Sequence, residues 1–189
     1  FLPSPVQESI SSCLSLAVLD LWAVDLTENG VLALCDALYN NTSLRSLDLG
    51  ANILSVESLE MLTRSLGNLT APTPLESLCL SKCEIKPAGS PVLCTLISSL
   101  LHLEHLNLSH NQLDDACGVA IAGVLGAPTS SLRLKRLNLY HNFIRKRGGL
   151  ALLEVASTMS LHIDLEANLC GDMQSLERTV QRNHAARQE

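Results

Sequence analysis

The chain has 189 residues, 40 of them leucine, and is 47% hydrophobic yet only 3% aromatic, so one residue type supplies the core and a repeated environment is expected instead of a mixed globular interior. Thirteen Lys and Arg against nineteen Asp and Glu give a net charge of -6, a poor match for a general binder of phosphate backbones. No uninterrupted apolar run reaches about 18 residues, so no membrane-spanning helix is expected, and a chain of this size buries roughly 70% of its extended surface on folding, so neither metal nor disulfide is needed to hold it.

The chain opens Phe1-Leu2-Pro3-Ser4-Pro5, without a charged-then-apolar leader, so no signal peptide is read and a piece of a longer protein is expected. Residues 6 to 14 have the pattern of a helix, and residues 1–15 are assigned to the helix half of a truncated preceding copy of the unit that follows. That unit begins with Leu16-Ala17-Val18-Leu19-Asp20-Leu21, of form LxxLxL, followed by Val24 and Leu26. The frame recurs at Leu44, Leu47, Leu49, Asn52, Leu54; at Leu75, Leu78, Leu80, Cys83, Ile85; at Leu103, Leu106, Leu108, Asn111, Leu113; and at Leu134, Leu137, Leu139, Asn142, Ile144. A degenerate sixth copy runs Ser160, Ile163, Leu165, Asn168, Cys170. Starts at 16, 44, 75, 103, 134 and 160 are spaced by 28, 31, 28, 31 and 26 residues, and residues 16–171 therefore hold about six copies.

Each copy has a second half with helical periodicity. Small residues (Gly30, Ser58, Gly89, Cys117, Gly148), then apolar ones four further on (Leu34, Leu62, Leu93, Ile121, Leu152) and four beyond those (Leu38, Leu66, Ile97, Leu125, Ala156), describe one buried helix face. The longer units carry extra loop residues at Thr70-Ala71-Pro72-Thr73-Pro74 and Ala127-Pro128-Thr129-Ser130-Ser131. Residues 172–189 turn polar, with Leu176 and Val180 the large aliphatic exceptions, as a capping helix at the end of an array requires.

A short strand, a turn and a helix of about three turns at this period resemble the leucine-rich repeat family, in its ribonuclease-inhibitor-like class. The resemblance covers roughly residues 14 to 171 and implies an α/β solenoid, a horseshoe segment with a parallel β-sheet on the concave face and α-helices on the convex face. Stacking explains it physically: one unit cannot bury its apolar face alone, and helices wider than the strand spacing force the stack to curve. The Asn after each strand is expected to satisfy backbone groups of neighbouring turns; Val24 and Cys83 depart from that pattern.

Little in the sequence carries catalytic chemistry. There is no GxxxxGK[ST], GxGxxG, HExxH or GxSxG motif, and no catalytic residue, metal site or cofactor is assigned. Gly118, Gly123 and Gly126 read as close-packing positions. His102 and His105 point to opposite faces of a strand and do not share a metal; His110 and His141 are neighbours at equivalent positions, where Asp114 or Asp115 could approach. Seven cysteines without a CxxC pair read as reduced thiols behaving as small hydrophobes in an intracellular protein, cytoplasmic with a nuclear alternative. Residues 1 to 132 carry a net -9 and residues 133 to 189 a net +3, the latter concentrated in Arg133, Lys135, Arg136, Arg145, Lys146 and Arg147. Nucleic acid is disfavoured there because aromatic interleaving is missing apart from Tyr140; pairing of Lys135 with Glu104, and of Arg45 with Glu76, across adjacent strands is expected.

The functional surface follows from alternation. With the leucines inward, three rows face the concave side: Val18, Ser46, Ser77, His105, Arg136, His162; then Asp20, Asp48, Cys79, Asn107, Asn138, Asp164; then Trp22, Gly50, Ser81, Ser109, Tyr140, Glu166. Partner-binding candidates are Asp20, Trp22, Asp48, His105, Asn107, Arg136, Asn138, Tyr140, His162, Asp164 and Glu166. The expected function is a non-catalytic interaction module binding a protein, including an acidic segment near the basic fifth copy, with no membrane partner. The resemblance leaves two alternatives: a GTPase-activating protein of the Ran-activating type, and the autoinhibitory or ligand-sensing repeat domain of an innate immune receptor.

Overall fold

The computed structural model describes residues 15–39, 41–67, 74–127 and 131–186. The helix expected over residues 6 to 14 and most of the two extra loops lie outside these. Six three-residue strands, β1 (Val18–Asp20), β2 (Ser46–Asp48), β3 (Ser77–Cys79), β4 (His105–Asn107), β5 (Arg136–Asn138) and β6 (His162–Asp164), form one parallel sheet in sequence order. Between and after them run α1 (Glu28–Leu38), α2 (Val56–Leu66), α3 (Ser90–Ser99), α4 (Asp115–Leu125), α5 (Lys146–Thr158) and α6 (Met173–Ala186). Each helix packs on the next, which gives the α/β solenoid with its sheet on one face and its helices on the other.

The strands are short because LxL places a single inward side chain in each. Leu47, Leu78, Leu106, Leu137 and Ile163 fill the space behind the sheet, and Leu49, Leu80, Leu108, Leu139 and Leu165 form a second buried row just past it. The helices answer with Leu34, Leu62, Leu93, Ile121 and Leu152, all buried. Ala156 departs from expectation: it is half-exposed, in the longest of these five helices and ahead of the shortest spacing in the array. Leu176 and Val180 are the buried side chains that seat α6 on α5.

Helix starts follow capping chemistry. Thr27, Ser55 and Asp114 each accept an N–H three residues on, from Gly30, Ser58 and Cys117. α3 begins through a 3-10 turn over Pro87–Gly89, since Pro87 and Pro91 supply no N–H. α5 has Arg145 at its cap position, which cannot accept; Asp115 of the preceding helix does so instead, taking the Arg145 N–H at 3.0 Å and the Gly148 N–H at 2.6 Å. That reach needs glycine, since a Cβ at Gly148 would sit 2.8 Å from the Asp115 carbonyl oxygen.

The turns between strand and helix repeat as faithfully as the leucines. Ala23, Ala51, Lys82, His110, His141 and Ala167 occupy the left-handed region, with φ between 53° and 56°. Their N–H groups reach sideways: those of Ala23, Ala51, Lys82, His110 and His141 donate to the carbonyls of Gly50, Ser81, Ser109, Tyr140 and Glu166 in the next copy. The asparagine that follows binds the other way. Asn111 Nδ2 donates to the carbonyls of Leu80 at 2.8 Å, Leu108 at 2.9 Å and Ser109 at 3.3 Å, while its Oδ1 accepts from the N–H groups of Cys83 and Ile85. Asn52, Asn142 and Asn168 repeat the arrangement. Where Cys83 and Cys170 replace an apolar or asparagine position, their thiols donate to the carbonyls of Leu49 and Ile144, each at 3.3 Å.

Asn111→Ala strands three buried backbone groups, the Leu80 carbonyl and the N–H groups of Cys83 and Ile85, each costing about 1–3 kcal/mol when left without a partner, while the Leu108 and Ser109 carbonyls keep the Asn142 amide and the Lys82 N–H. A loss above about 3 kcal/mol is expected in urea denaturation, and about half that or less for Asn168→Ala, whose turn is part-exposed and whose Oδ1 accepts from Ile144 alone. Equal losses would contradict this account of the turns.

Candidate functional site

Strand register assembles two of the expected rows directly. Val18, Ser46, Ser77, His105, Arg136 and His162 are successive partners, as are Asp20, Asp48, Cys79, Asn107, Asn138 and Asp164. In the first row His105, Arg136 and His162 are exposed side by side. The second row has a structural duty that the sequence reading missed. Oδ1 of Asp20, Asp48, Asn107, Asn138 and Asp164 accepts the N–H two residues on, at 2.8–3.0 Å, closing the turn that ends each strand. At the remaining position of the row Cys79 puts a sulfur in place of that oxygen, facing the Ser81 N–H and receiving Asn107 Nδ2 at 3.7 Å. The signal was available in the alternation itself: Asp or Asn two residues before a turn is a turn-forming choice.

The third row divides. Ser81 and Ser109 are buried and share a hydroxyl hydrogen bond of 2.8 Å. Trp22, 41% exposed, lies across Gly50, where an added Cβ would fall 2.2 Å from its ring; the Lys82 ammonium stands 6.0 Å from the ring centroid. Tyr140 is half-buried against His110, in an edge contact with centroids 5.2 Å apart, and His110 stacks on His141 at 4.7 Å. Glu166 is exposed at the end of the row. A depression of about 370 Å³ in the sheet is lined by Asp48, Cys79, His105, Asn107, Arg136 and Asn138 among others. It joins candidates from three strands, β2, β4 and β5, whereas Asp20 and Trp22 stand at one end of the sheet and His162, Asp164 and Glu166 at the other.

The basic cluster is split by the turn. Lys135 pairs with Glu104 at 2.7 Å and holds that carboxyl below its ordinary range; Arg45 pairs with Glu76 in the same way two strands earlier. Arg133 is exposed before β5 and Arg136 faces the depression. Arg145, Lys146 and Arg147 lie beyond the turn, exposed at the start of α5. With Asp114, Asp115, Val119, Phe143 and Leu169, Arg145 and Arg147 line a cleft of about 640 Å³. Phe143 and Leu169 were not singled out from the sequence. Their signal was positional, since each follows the turn asparagine, where the third and fourth copies carry Glu84 and Gln112.

The remaining candidates resolve structurally. Asp114 and Asp115 are used as helix caps instead of approaching His110 and His141. Gly118 packs against Gly148 and Ile144, and Gly126 against Val155, as expected. Gly123 does not, because no atom lies within 4 Å of a Cβ built there. Among the described residues no group of three His, Cys, Asp or Glu side chains is placed to hold a metal. Six described cysteines are free thiols; burial pushes Cys35 and Cys83 up to about 12, and Cys79 and Cys170 to about 11. Cys13 lies outside the described residues.

Desolvation, then the neighbouring His141 and Lys82, hold the His110 imidazole below its ordinary value. A depressed folded-state value means that its contribution to stability is present above the unfolded value of about 6.5 and is lost as pH falls through the folded value. NMR titration should therefore place His110 below an unstructured histidine, with His141→Ala raising it. No rise in that variant would remove the stacked pair as a cause.

A family profile described as "Leucine Rich repeat" matches residues 99–122. The ribonuclease inhibitor of Mus musculus is 33% identical over 162 residues, spanning 86% of this chain and 35% of that protein, and that of Sus scrofa is 30% identical over 163 residues with the same shares. The NACHT, LRR and PYD domains-containing protein 14 of Mus musculus is 31% identical over 158 residues, 84% of this chain and 16% of that protein. The chain thus spans about a third of the length of the ribonuclease inhibitors it matches. Among solved structures, Leiomodin-1 Actin-Binding Site 2 superposes with a TM-score of 0.51 at 10% identity, over 96% of this chain and 91% of that one, a likeness of fold. The repeated frame, the stacked sheet and helices, and these relatives together make the chain a member of the leucine-rich repeat family, in its ribonuclease-inhibitor-like class.

Proposed function

We propose that the chain is a non-catalytic, protein-binding repeat segment that receives its partner on the concave sheet. The observation that carries this reading is the row His105, Arg136, His162, exposed on adjacent strands beside a depression. Rigid strands hold those side chains at fixed spacing, so little ordering is lost on binding. Arg136 offers a guanidinium fork suited to a carboxylate, which favours a partner segment carrying acid at that point. Asp164 and Glu166 one strand away repel acid further along, so the partner's charge is confined to the fourth and fifth copies. Tyr140, backed by His110, supplies a pre-set aromatic contact beside it.

Relatives named as ribonuclease inhibitors act, by that name, on an enzyme, and those named for NACHT and PYD domains carry repeats within larger proteins. Both support a repeat segment working as part of a longer chain. No described helix is long and apolar enough to cross a membrane, and six described free thiols, four of them buried, suit a reducing compartment; we place the protein in the cytoplasm, with the nucleus as the alternative.

Affinity capture with the intact chain, followed by titration of the recovered protein, tests the surface. Arg136→Glu and Tyr140→Ala should each weaken binding by more than about 1 kcal/mol, close to fivefold, with circular dichroism unchanged. Full affinity in both variants would move the site off the concave face.

A further inference from the structure

The turns after β4 and β5 each place a histidine at the same point, His110 and His141, both in the left-handed region at φ 55°. Matching backbone aims the two side chains the same way, and their rings lie 4.7 Å apart at the centroids with 24° between the planes. Main-chain bonds fix that spacing. The His110 N–H donates to the Tyr140 carbonyl at 2.8 Å and the His141 N–H to the Glu166 carbonyl at 3.0 Å, so the first turn is tied to the second and the second to the copy that follows. Tyr140 meets the His110 ring in an edge contact at 5.2 Å and limits its swing on that side. His141 is exposed and His110 half-buried, and among the described residues no hydrogen bond engages a ring nitrogen of either.

Two imidazoles with free nitrogens, held one strand spacing apart, form half of a coordination sphere. An imidazole nitrogen binds a divalent transition ion at about 2.0–2.1 Å, which puts the ion about 3.2 Å from each ring centre. Centroids 4.7 Å apart then subtend about 95° at a shared ion. That angle is close to the ~90° between neighbouring ligands of a tetragonal or octahedral ion and short of the ~109° of a tetrahedral one. Bringing the two nitrogens to one point takes rotation about the Cβ–Cγ bonds, a torsion with a broad well. Lys82, next in the row of left-handed turn residues, is the cation that opposes an ion here; its ammonium stands 6.0 Å from the Trp22 ring centroid, drawn towards that face. Coordination by neutral imidazole needs no carboxylate.

We propose that His110 and His141 chelate one divalent transition-metal ion of the Ni(II) and Cu(II) class, with water filling its remaining positions. Ligand type and angle both select the ion. Imidazole suits Ni, Cu and Zn, whereas Mg and Ca take oxygen, and the angle favours tetragonal ions over tetrahedral zinc. The bound ion joins the turns of the fourth and fifth copies through their side chains, beside the backbone bonds already there, and so stabilises the folded array by mass action. The site lies in the turns, past the row of His105, Arg136 and His162, and does not rest on the concave-face reading.

The test is isothermal titration calorimetry of the 189-residue chain with nickel sulfate, since Ni(II) leaves the free thiols unoxidised. Expected results are saturable binding of one ion per chain and a loss of about tenfold or more in each of His110→Ala and His141→Ala. Alanine suits the position: Ala51 and Ala167 hold the equivalent turn residue at φ 56° and 55°. Substituting the other four histidines, His102, His105, His162 and His184, by alanine should change affinity by less than about twofold, and excess magnesium should not compete. In thermal unfolding, nickel should raise the midpoint of the native chain and not that of His110→Ala/His141→Ala. Circular dichroism monitors folding of every variant, and the two single variants read the site even where the fourfold one unfolds. Full affinity in either single variant, loss in the folded fourfold variant, or displacement by magnesium would each overturn the proposal.

Discussion

A chain that turns from strand to helix inside a protein carries N–H and C=O groups into a space without water, and each must find a partner there. Here an asparagine in four of the six turns, Asn52, Asn111, Asn142 and Asn168, meets that demand, and it does so across copies. Asn52 reaches back to the Leu21 carbonyl and the Leu26 N–H, Asn111 to Leu80, Cys83 and Ile85, and Asn142 to Leu108 and Leu113. No turn is complete by itself. The left-handed residues before Asn52, Asn111 and Asn142 aim their own N–H groups at the following copy, so these units are tied in both directions, and stability becomes a property of neighbouring pairs.

The surface inherits its precision from that linkage. Because turns are locked to one another, strands of only three residues keep register over six copies, and residues 26, 28 or 31 apart in sequence become lateral neighbours. The concave row of His105, Arg136 and His162 exists for this reason. On the far side of the turn, glycines at 118 and 148 let α4 and α5 approach closely enough for Asp115 to cap the next helix. That cross-copy cap sets the Asp115 carboxylate at the start of α5, where it accepts the Arg145 and Gly148 N–H groups.

Fold and surface were unequally legible in the sequence. Leucine spacing dictated strand, helix and inward face together because a single period satisfies all three, and the turn asparagines could be assigned a backbone role from chemistry alone. Asp20, Asp48, Asn107, Asn138 and Asp164 looked like free concave groups, but a strand pattern says which way a side chain points and nothing of the N–H two residues later that it binds. Ser81 and Ser109 share that lesson, buried by each other's hydroxyl. Gly123 shows the opposite error: a glycine near two packed ones points to solvent because its helix phase differs. Phe143 and Leu169 escaped notice because they stand outside the repeated frame, and only the fold brings them to one cleft with Arg145.

If the asparagine ladder holds the array together, amides inside the turns must be as well protected as those inside helices. Native-state hydrogen exchange of Leu26, Cys83, Ile85, Leu113 and Ile144, whose N–H groups donate to asparagine Oδ1 at 2.9–3.1 Å, measures this directly. The account predicts exchange through unfolding of whole copies, at free energies matching the helix amides of the same copy. Exchange at these positions near the rate of an unstructured peptide, with the helices still protected, would contradict it.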